Sequence, residues 1–253
     1  MVKFVRYDAG DNISHWGIIN NENNIIEIEG DIFTEYTVTD KIIEISKIKI
    51  LAPVEPSKIV AVGLNYKDHV EEMHMPLPEE PLIFLKPSTT VIGQGEKIIL
   101  PKMSSQVEFE AELAIVISNT IKNITEAEVD FNILGYTCLN DVTARDLQKK
   151  DGQWTRAKSF DTFAPIGPCI VKGIDPDAQT IKLFLNGELK QTSNTSNFIF
   201  KTRKLVAYIS TLMTLNRGDV ITTGTPGGVG PMKTGDRVEV QIGEIGTLLN
   251  YVE

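Results

Sequence analysis

The sequence predicts a β-rich α+β fold with few helices. Beyond residue 57, seven short segments carry strand signals, against one clear apolar helix face. The regular alternation of strand and helix that builds a doubly wound parallel sheet is missing. Asn186-Gly187 between two strand-like runs adds a strong hairpin signal, because a type I′ turn needs positive φ at both central residues. With 253 residues, 42% of them hydrophobic, the chain fits one globular domain, or one domain with a small appendage. A chain of this length buries roughly 70–75% of its unfolded surface, so folding needs neither disulfide nor metal, and any metal it holds is expected to be functional.

Taken in order, Lys3–Tyr7, Trp16–Ile19 and Ile25–Ile28 read as short strands, the last following an Asn-rich turn near residue 21. Pro53 and Pro56 disfavour helix and stiffen the chain, which places a boundary between a small N-terminal β-rich domain, 1–53, and the remainder, 54–253. Strands are then expected at Lys58–Val62, Leu82–Leu85, Phe109–Ile117, Leu134–Leu139, Ile181–Leu185, Val220–Thr223 and Val238–Ile242. Leu205, Val206, Ile209, Leu212 and Met213 form one apolar helix face, which stops before Asn216-Arg217-Gly218. Thr125 and Glu128 read as a capping box, and Thr143 as the cap of a short helix through Lys150.

The 25 basic and 34 acidic residues give a net charge of -9, which argues against a nucleic-acid partner. The densest basic stretch, Lys201–Lys204, opens the helix at 205–213 and reads as a solvated helix end. Cys138 and Cys169 form no CxxC pair and no disulfide framework, consistent with a reducing interior. No segment approaches the roughly 20 apolar residues of a membrane span, so the expected setting is cytoplasmic.

The segment Glu108–Ile117 carries the most chemistry. On a strand, Glu108, Glu110 and Glu112 share one face, while Phe109, Ala111, Leu113, Ile115 and Ile117 fill the other. Ala114 and Val116 continue the acidic face as an apolar one, so Glu112 sits where the strand enters the protein, and adjacent carboxylates there repel unless a cation neutralises them. The competing reading is a solvated edge whose charges discourage aggregation. Asp141, at the end of another strand, adds a carboxylate; two of the three glutamates, which spacing does not choose among, and this Asp would supply half of an octahedral shell for Mg²⁺, with Mn²⁺ also suited and Ca²⁺ able to occupy the site.

His69 and Glu72, at i and i+3, face the same side of a helical turn, as a general base and its orienting carboxylate would; the alternative is a surface helix. His15 and His74 read as surface residues. Arg145 and Lys158 lie in segments rich in apolar and small residues, where a buried cation needs an anion: a substrate carboxylate, or a structural partner such as Asp146 or Asp161. The loop Gly224–Gly230 matches neither nucleotide-binding glycine motif and reads as a tight loop that still offers N–H groups and the Thr225 hydroxyl to an anion.

Together, Gly63–His69, Phe84–Pro87, Glu108–Leu113, Asn140–Asp146, Ala157–Asp161 and Gly224–Pro226 resemble the fumarylacetoacetate hydrolase family, especially its small bacterial and mitochondrial members acting on 2-oxo acids, over most of residues 58 to 252. The resemblance implies a mixed β-roll of packed sheets, usually dimeric, with a small variable domain in front. It implies Glu110, Glu112 and Asp141 as metal ligands with Glu108 outside the set, His69 and Glu72 as a dyad on a mobile lid, and Lys158 polarising the substrate. Tyr66, Arg145, Gln148 and Thr225 would lie near the substrate's carboxylate or oxo groups.

The expected function is that of a Mg²⁺-dependent enzyme acting on a 2-oxo acid through a metal-stabilised enolate. Water delivered to a C4 carbonyl by His69 and Glu72 would hydrolyse the C3–C4 bond of an acylpyruvate or fumarylpyruvate; loss of CO₂ would make the enzyme a decarboxylase of oxaloacetate; proton transfer alone would isomerise a substrate of the 2-hydroxyhepta-2,4-diene-1,7-dioate type. The alternative from another class is a non-catalytic metal-binding or interaction protein that keeps the fold. A small-molecule 2-oxo acid and a second copy of the chain are the expected partners.

Overall fold

The computed structural model describes residues 1–253 except 22, 23 and 73–75, and except the side chains of residues 69, 71 and 72. Strands β1 (Val2–Asp8), β2 (Ser14–Asn21), β3 (Asn24–Gly30) and β4 (Tyr36–Glu44) form an antiparallel meander, and β5 (Lys49–Ile50) returns to pair with β1. After the prolines come β6 (Lys58–Gly63), α1 (Lys67–Glu72), β7 (Leu82–Pro87) and the two-residue strands β8 (Val91–Ile92) and β9 (Lys97–Ile98). The middle of the chain supplies β10 (Val107–Phe109), β11 (Ala111–Ile117), β12 (Ile133–Asn140), β13 (Thr143–Ala144), α2 (Arg145–Asp151), α3 (Thr155–Lys158) and β14 (Ala164–Lys172). Next is the hairpin of β15 (Thr180–Leu185) and β16 (Glu188–Asn194), followed by α4 (Thr202–Leu212). The chain ends with β17 (Val220–Thr222), β18 (Gly230–Pro231), β19 (Arg237–Ile242) and β20 (Gly246–Val252).

Most strands join one large mixed sheet in the order β4-β3-β2-β1-β14-β12-β11-β17-β6-β7, while β16-β15-β19-β20-β9 form a second sheet and β13-β10-β18 a third. The fold is therefore mostly β with mixed sheets, as the sequence predicts. The N-terminal meander joins the main sheet through antiparallel pairing of β1 with β14. In the β15–β16 hairpin, Leu185 pairs with Glu188, and Asn186 and Gly187 take φ of 54° and 83°, the positive values that the turn requires. Thr125 and Glu128 make the reciprocal capping bonds at the start of a 3₁₀ turn.

The two faces of β11 separate as its alternation predicts. Leu113, Ile115 and Ile117 enter the core shared with β15 and β19, together with Phe109 and Ala111; Ala114 and Val116 enter a second core with Ile59, Leu139 and Ile170. β11 lies between β12 and β17, so the solvated-edge reading fails: Glu108, Glu110 and Glu112 are all buried.

Two expectations are corrected. The strand expected over Phe109–Ile117 breaks at Glu110, where the chain passes from the three-stranded sheet into the main sheet. There the Glu110 N–H donates to the Asn140 side chain (2.9 Å) and its carbonyl accepts from Asp141 N–H (2.9 Å). Thr143 does not cap a helix. It lies in β13, its hydroxyl donating to the Asp141 carbonyl (2.8 Å) in the turn after β12, and α2 starts at Arg145 without a side-chain cap.

Candidate active site

The switch between sheets at Glu110 and the end of β12 bring three carboxylates together. Backbone pairing of Asp141 with Glu110 fixes the two chain segments side by side, and Glu112, the second residue of β11, is on the same side as Glu110. One oxygen from each of Glu110, Glu112 and Asp141 lies within 4.8 Å of the others, and all three residues are buried. That span matches oxygens around a six-coordinate ion at roughly 2.1–2.6 Å, so the donor set fits Mg²⁺ or Ca²⁺.

Cations surround the triad. Lys158, at the end of α3, donates to Glu110 Oε2 (2.8 Å) and Asp141 Oδ2 (2.7 Å). Lys86, on β7, donates to Asp141 Oδ1 (2.6 Å) and to the Val142 carbonyl (3.3 Å). Arg145, the first residue of α2, donates through Nε to Glu108 (2.6 Å), through Nη1 to Gln148 (2.6 Å) and through Nη2 to Glu110. Neither Arg145 nor Lys158 takes the structural partners weighed from sequence; Asp146 instead accepts from Ser104 and Ser105.

These contacts set the ionisation of the site. Burial alone would raise the Glu110 carboxyl, but Lys158 and Arg145 outweigh it and hold it at about 2. Glu112 goes the other way: burial, then the charges of Asp141 and Glu110, push it well above the usual carboxylate range. A buried carboxylate in that position calls for a proton or a metal cation, which is the second sign that the triad suits an ion. Lys158 is raised because Asp141 and Glu110 overcome its desolvation, whereas burial prevails at Lys86 and lowers it.

A cavity of about 240 Å³ opens over the triad, lined also by Arg145, Gln148, Lys158 and Thr225 on its polar side and by Val62, Gly63, Leu64, Phe84 and Trp154 on its apolar side. Its size lies just under the usual range of small-molecule pockets. A larger cleft of about 600 Å³ lies elsewhere, over β12 and β14, where Arg203 is already engaged by Asp130; it lacks a comparable carboxylate triad among the described residues.

Seven of the residues singled out from sequence thus line one cavity: Glu110, Glu112, Asp141, Arg145, Gln148, Lys158 and Thr225. Thr225 is fixed there by donating to the Ala111 carbonyl (2.9 Å) and accepting from Gln191 (2.9 Å), whose own carbonyl takes Ala111 N–H. Tyr66 is buried beside the site rather than in its lining, packed edge-on against Phe198, and its hydroxyl has no hydrogen-bond partner among the described residues. The backbone of His69 and Glu72 lies in α1, but their side chains, like all of His74, fall outside the described residues. Sequence reasoning gave no role to Lys86, Gln191, Phe84 or Trp154. Phe84 and Lys86 stand in one of the segments that carry the family resemblance, which was the available signal.

Residues 58–253 match the family model for the fumarylacetoacetate (FAA) hydrolase C-terminal domain, and residues 2–53 match the Rv2993c-like N-terminal model. The mitochondrial oxaloacetate tautomerase fahd2 of Xenopus laevis is 45% identical over 220 residues, covering 82% of this chain and 69% of that protein. The crystal structure of 2-hydroxyhepta-2,4-diene-1,7-dioate isomerase from Mycobacterium marinum superposes with a TM-score of 0.92 at 42% identity, covering 100% of this chain and 98% of that one. Maleylpyruvate hydrolase from Sphingobium superposes with a TM-score of 0.82 at 27% identity, covering 99% and 98%.

Proposed function

The chain belongs to the fumarylacetoacetate hydrolase family, a family of enzymes, and from that premise we propose that it moves a proton at the carbon next to the oxo group of a small 2-oxo acid, with Mg²⁺ as cofactor. The observation that carries this reading is the charge balance of the cavity lining and the residues ion-paired with it. Four carboxylates, Glu108, Glu110, Glu112 and Asp141, face three cations, Lys86, Arg145 and Lys158. With every group ionised one negative charge is left over, and with Glu112 protonated the cluster is neutral, so neither form attracts an anionic substrate; a dication that replaces the proton makes it positive.

When bound, the ion supplies positive charge facing the oxygen on which negative charge gathers as the proton leaves. Glu110, Glu112 and Asp141 would hold it. Lys158 commits two of its three N–H donors to Glu110 and Asp141, leaving one for an oxygen of the substrate. Arg145 commits three of its five donors, and the remaining two, with the Gln148 amide, suit a carboxylate. His69, oriented by Glu72, is assigned the role of proton acceptor on the strength of the family resemblance.

Two of the three relatives above bear the names of a tautomerase and an isomerase, and these are the two more identical to this chain, which favours proton transfer over hydrolysis. A proton NMR panel tests the assignment: oxaloacetate, an acylpyruvate, maleylpyruvate and 2-hydroxyhepta-2,4-diene-1,7-dioate, each with Mg²⁺ and with chelator. Metal-dependent tautomer or double-bond interconversion is expected. Release of pyruvate with a carboxylic acid from the acylpyruvate or maleylpyruvate instead would make the enzyme a hydrolase, enzyme-dependent release of pyruvate and CO₂ from oxaloacetate a decarboxylase, and turnover unaffected by chelator would remove the metal.

A further inference from the structure

The apolar side of the cavity is as defined as the polar side. Trp154 immediately precedes α3 and Lys158 ends it, so the two lie one helical turn apart on the same side, tied by the Lys158 N–H to Trp154 carbonyl bond (3.1 Å). Phe84 joins them: its ring meets Trp154 edge-on at 5.1 Å, and the Lys158 ammonium lies 5.0 Å from its centroid. The indole comes so close to β6 that a Cβ at Gly63 would sit 2.9 Å from Trp154 Cζ3 and 3.1 Å from Cη2. Only glycine at position 63 allows the ring to seat there, and both residues line the cavity.

We propose that Trp154, seated on Gly63 and braced by Phe84, is the back wall that limits the length of the substrate's carbon chain. This rests on the 2-oxo acid reading above. An acid whose oxo oxygen meets Lys158 and whose chain follows the apolar side passes the Phe84 ring, 5.0 Å from the ammonium, before it meets the Trp154 ring, whose centroid is 5.1 Å from that of Phe84. Shorter chains fit between Lys158 and Trp154, and longer ones meet the indole.

The test is hydrogen–deuterium exchange at C3, followed by proton NMR in D₂O with Mg²⁺, across the straight-chain series pyruvate, 2-oxobutanoate, 2-oxohexanoate and 2-oxooctanoate. The wild type should exchange 2-oxobutanoate well and 2-oxooctanoate poorly. Trp154→Ala should raise the octanoate-to-butanoate rate ratio by about ten-fold or more, the scale of discrimination that an apolar pocket achieves. Trp154→Phe, the milder change, should shift it in the same direction by less and covers the case in which the alanine variant fails to fold. An unchanged ratio in the folded variants, with butanoate still exchanged by the wild type, overturns the wall alone. If the wild type exchanges none of the series, the 2-oxo acid reading falls and the wall with it.

Discussion

Both oxygens of Asp141 accept from buried lysines, Oδ1 from Lys86 and Oδ2 from Lys158, and each keeps a lone pair for an ion. Removing one partner of a buried ion pair costs about 3–5 kcal/mol, and because Asp141 keeps Lys158, Lys86→Met is expected at the lower end, near 3 kcal/mol in urea unfolding. No loss of stability would show that Lys86 is dispensable to the cluster. This lysine was the least legible residue of the site. Leu85 is 47% exposed while Lys86 is fully buried, so β7 inverts the usual order and hydropathy points its faces the wrong way. The carboxylates were more legible, because charges at alternate positions of an otherwise apolar strand must be neutralised once that strand is buried. Asp146, which the sequence offered as a partner for Arg145, has a structural role. Its burial would raise it, but hydrogen bonds from Ser104, Ser105 and Leu147 prevail and hold it at about 2. A depressed carboxyl contributes stability above its ordinary value and loses it as the pH falls toward the folded value. The stability gap between wild type and Asp146→Asn should therefore be full at about pH 5 and shrink between about pH 4 and pH 2. A gap independent of pH in urea midpoints would contradict this.

At the scale of elements, local chemistry decided what could be read. The β15–β16 hairpin follows from Asn186-Gly187 alone, and Gly187→Ala places a side chain at φ 83° in open space. It should cost about 1–2 kcal/mol in thermal or urea unfolding. Because the turn is not part of the cavity lining, Mg²⁺ binding should be unchanged by calorimetry; a lost Mg²⁺ signal would mean that the turn supports the site. The amphipathic pattern of α4 was equally legible, since its apolar positions repeat at helical spacing and Leu205, Val206 and Ile209 are buried on one face. The break at Glu110 was not. Alternation continues through it, and only the long-range bonds to Asn140 and Asp141 show that the chain changes sheets there. Thr143 misled for a related reason: its hydroxyl can cap a helix or close a turn, and the tertiary context chose the turn.

For the whole molecule, composition and strand signals predicted a β-rich fold, but the order of strands rests on pairings that no local pattern encodes. β1 meets β14, and β6 runs parallel to β17 from the opposite end of residues 58–253. These pairings carry the site, because β11 and the turns at its start and after β12 present the triad, β6 and β7 present Gly63, Phe84 and Lys86, and the loop after β17 presents Thr225. Charge reads differently at this scale as well: the net -9 of the chain says nothing of a buried cluster, the cavity lining with its ion-pair partners, in which three cations and a bound dication would outweigh four carboxylates. The central claim is that this cavity labilises the proton beside the oxo group of a 2-oxo acid in a metal-dependent way. Deuterium exchange at C3 of 2-oxobutanoate, whose spontaneous enolisation is slow, tests it most directly. Rapid exchange is predicted for the wild type with Mg²⁺, and background rates with chelator or in a folded Glu110→Gln variant; equal exchange in all three would contradict the claim.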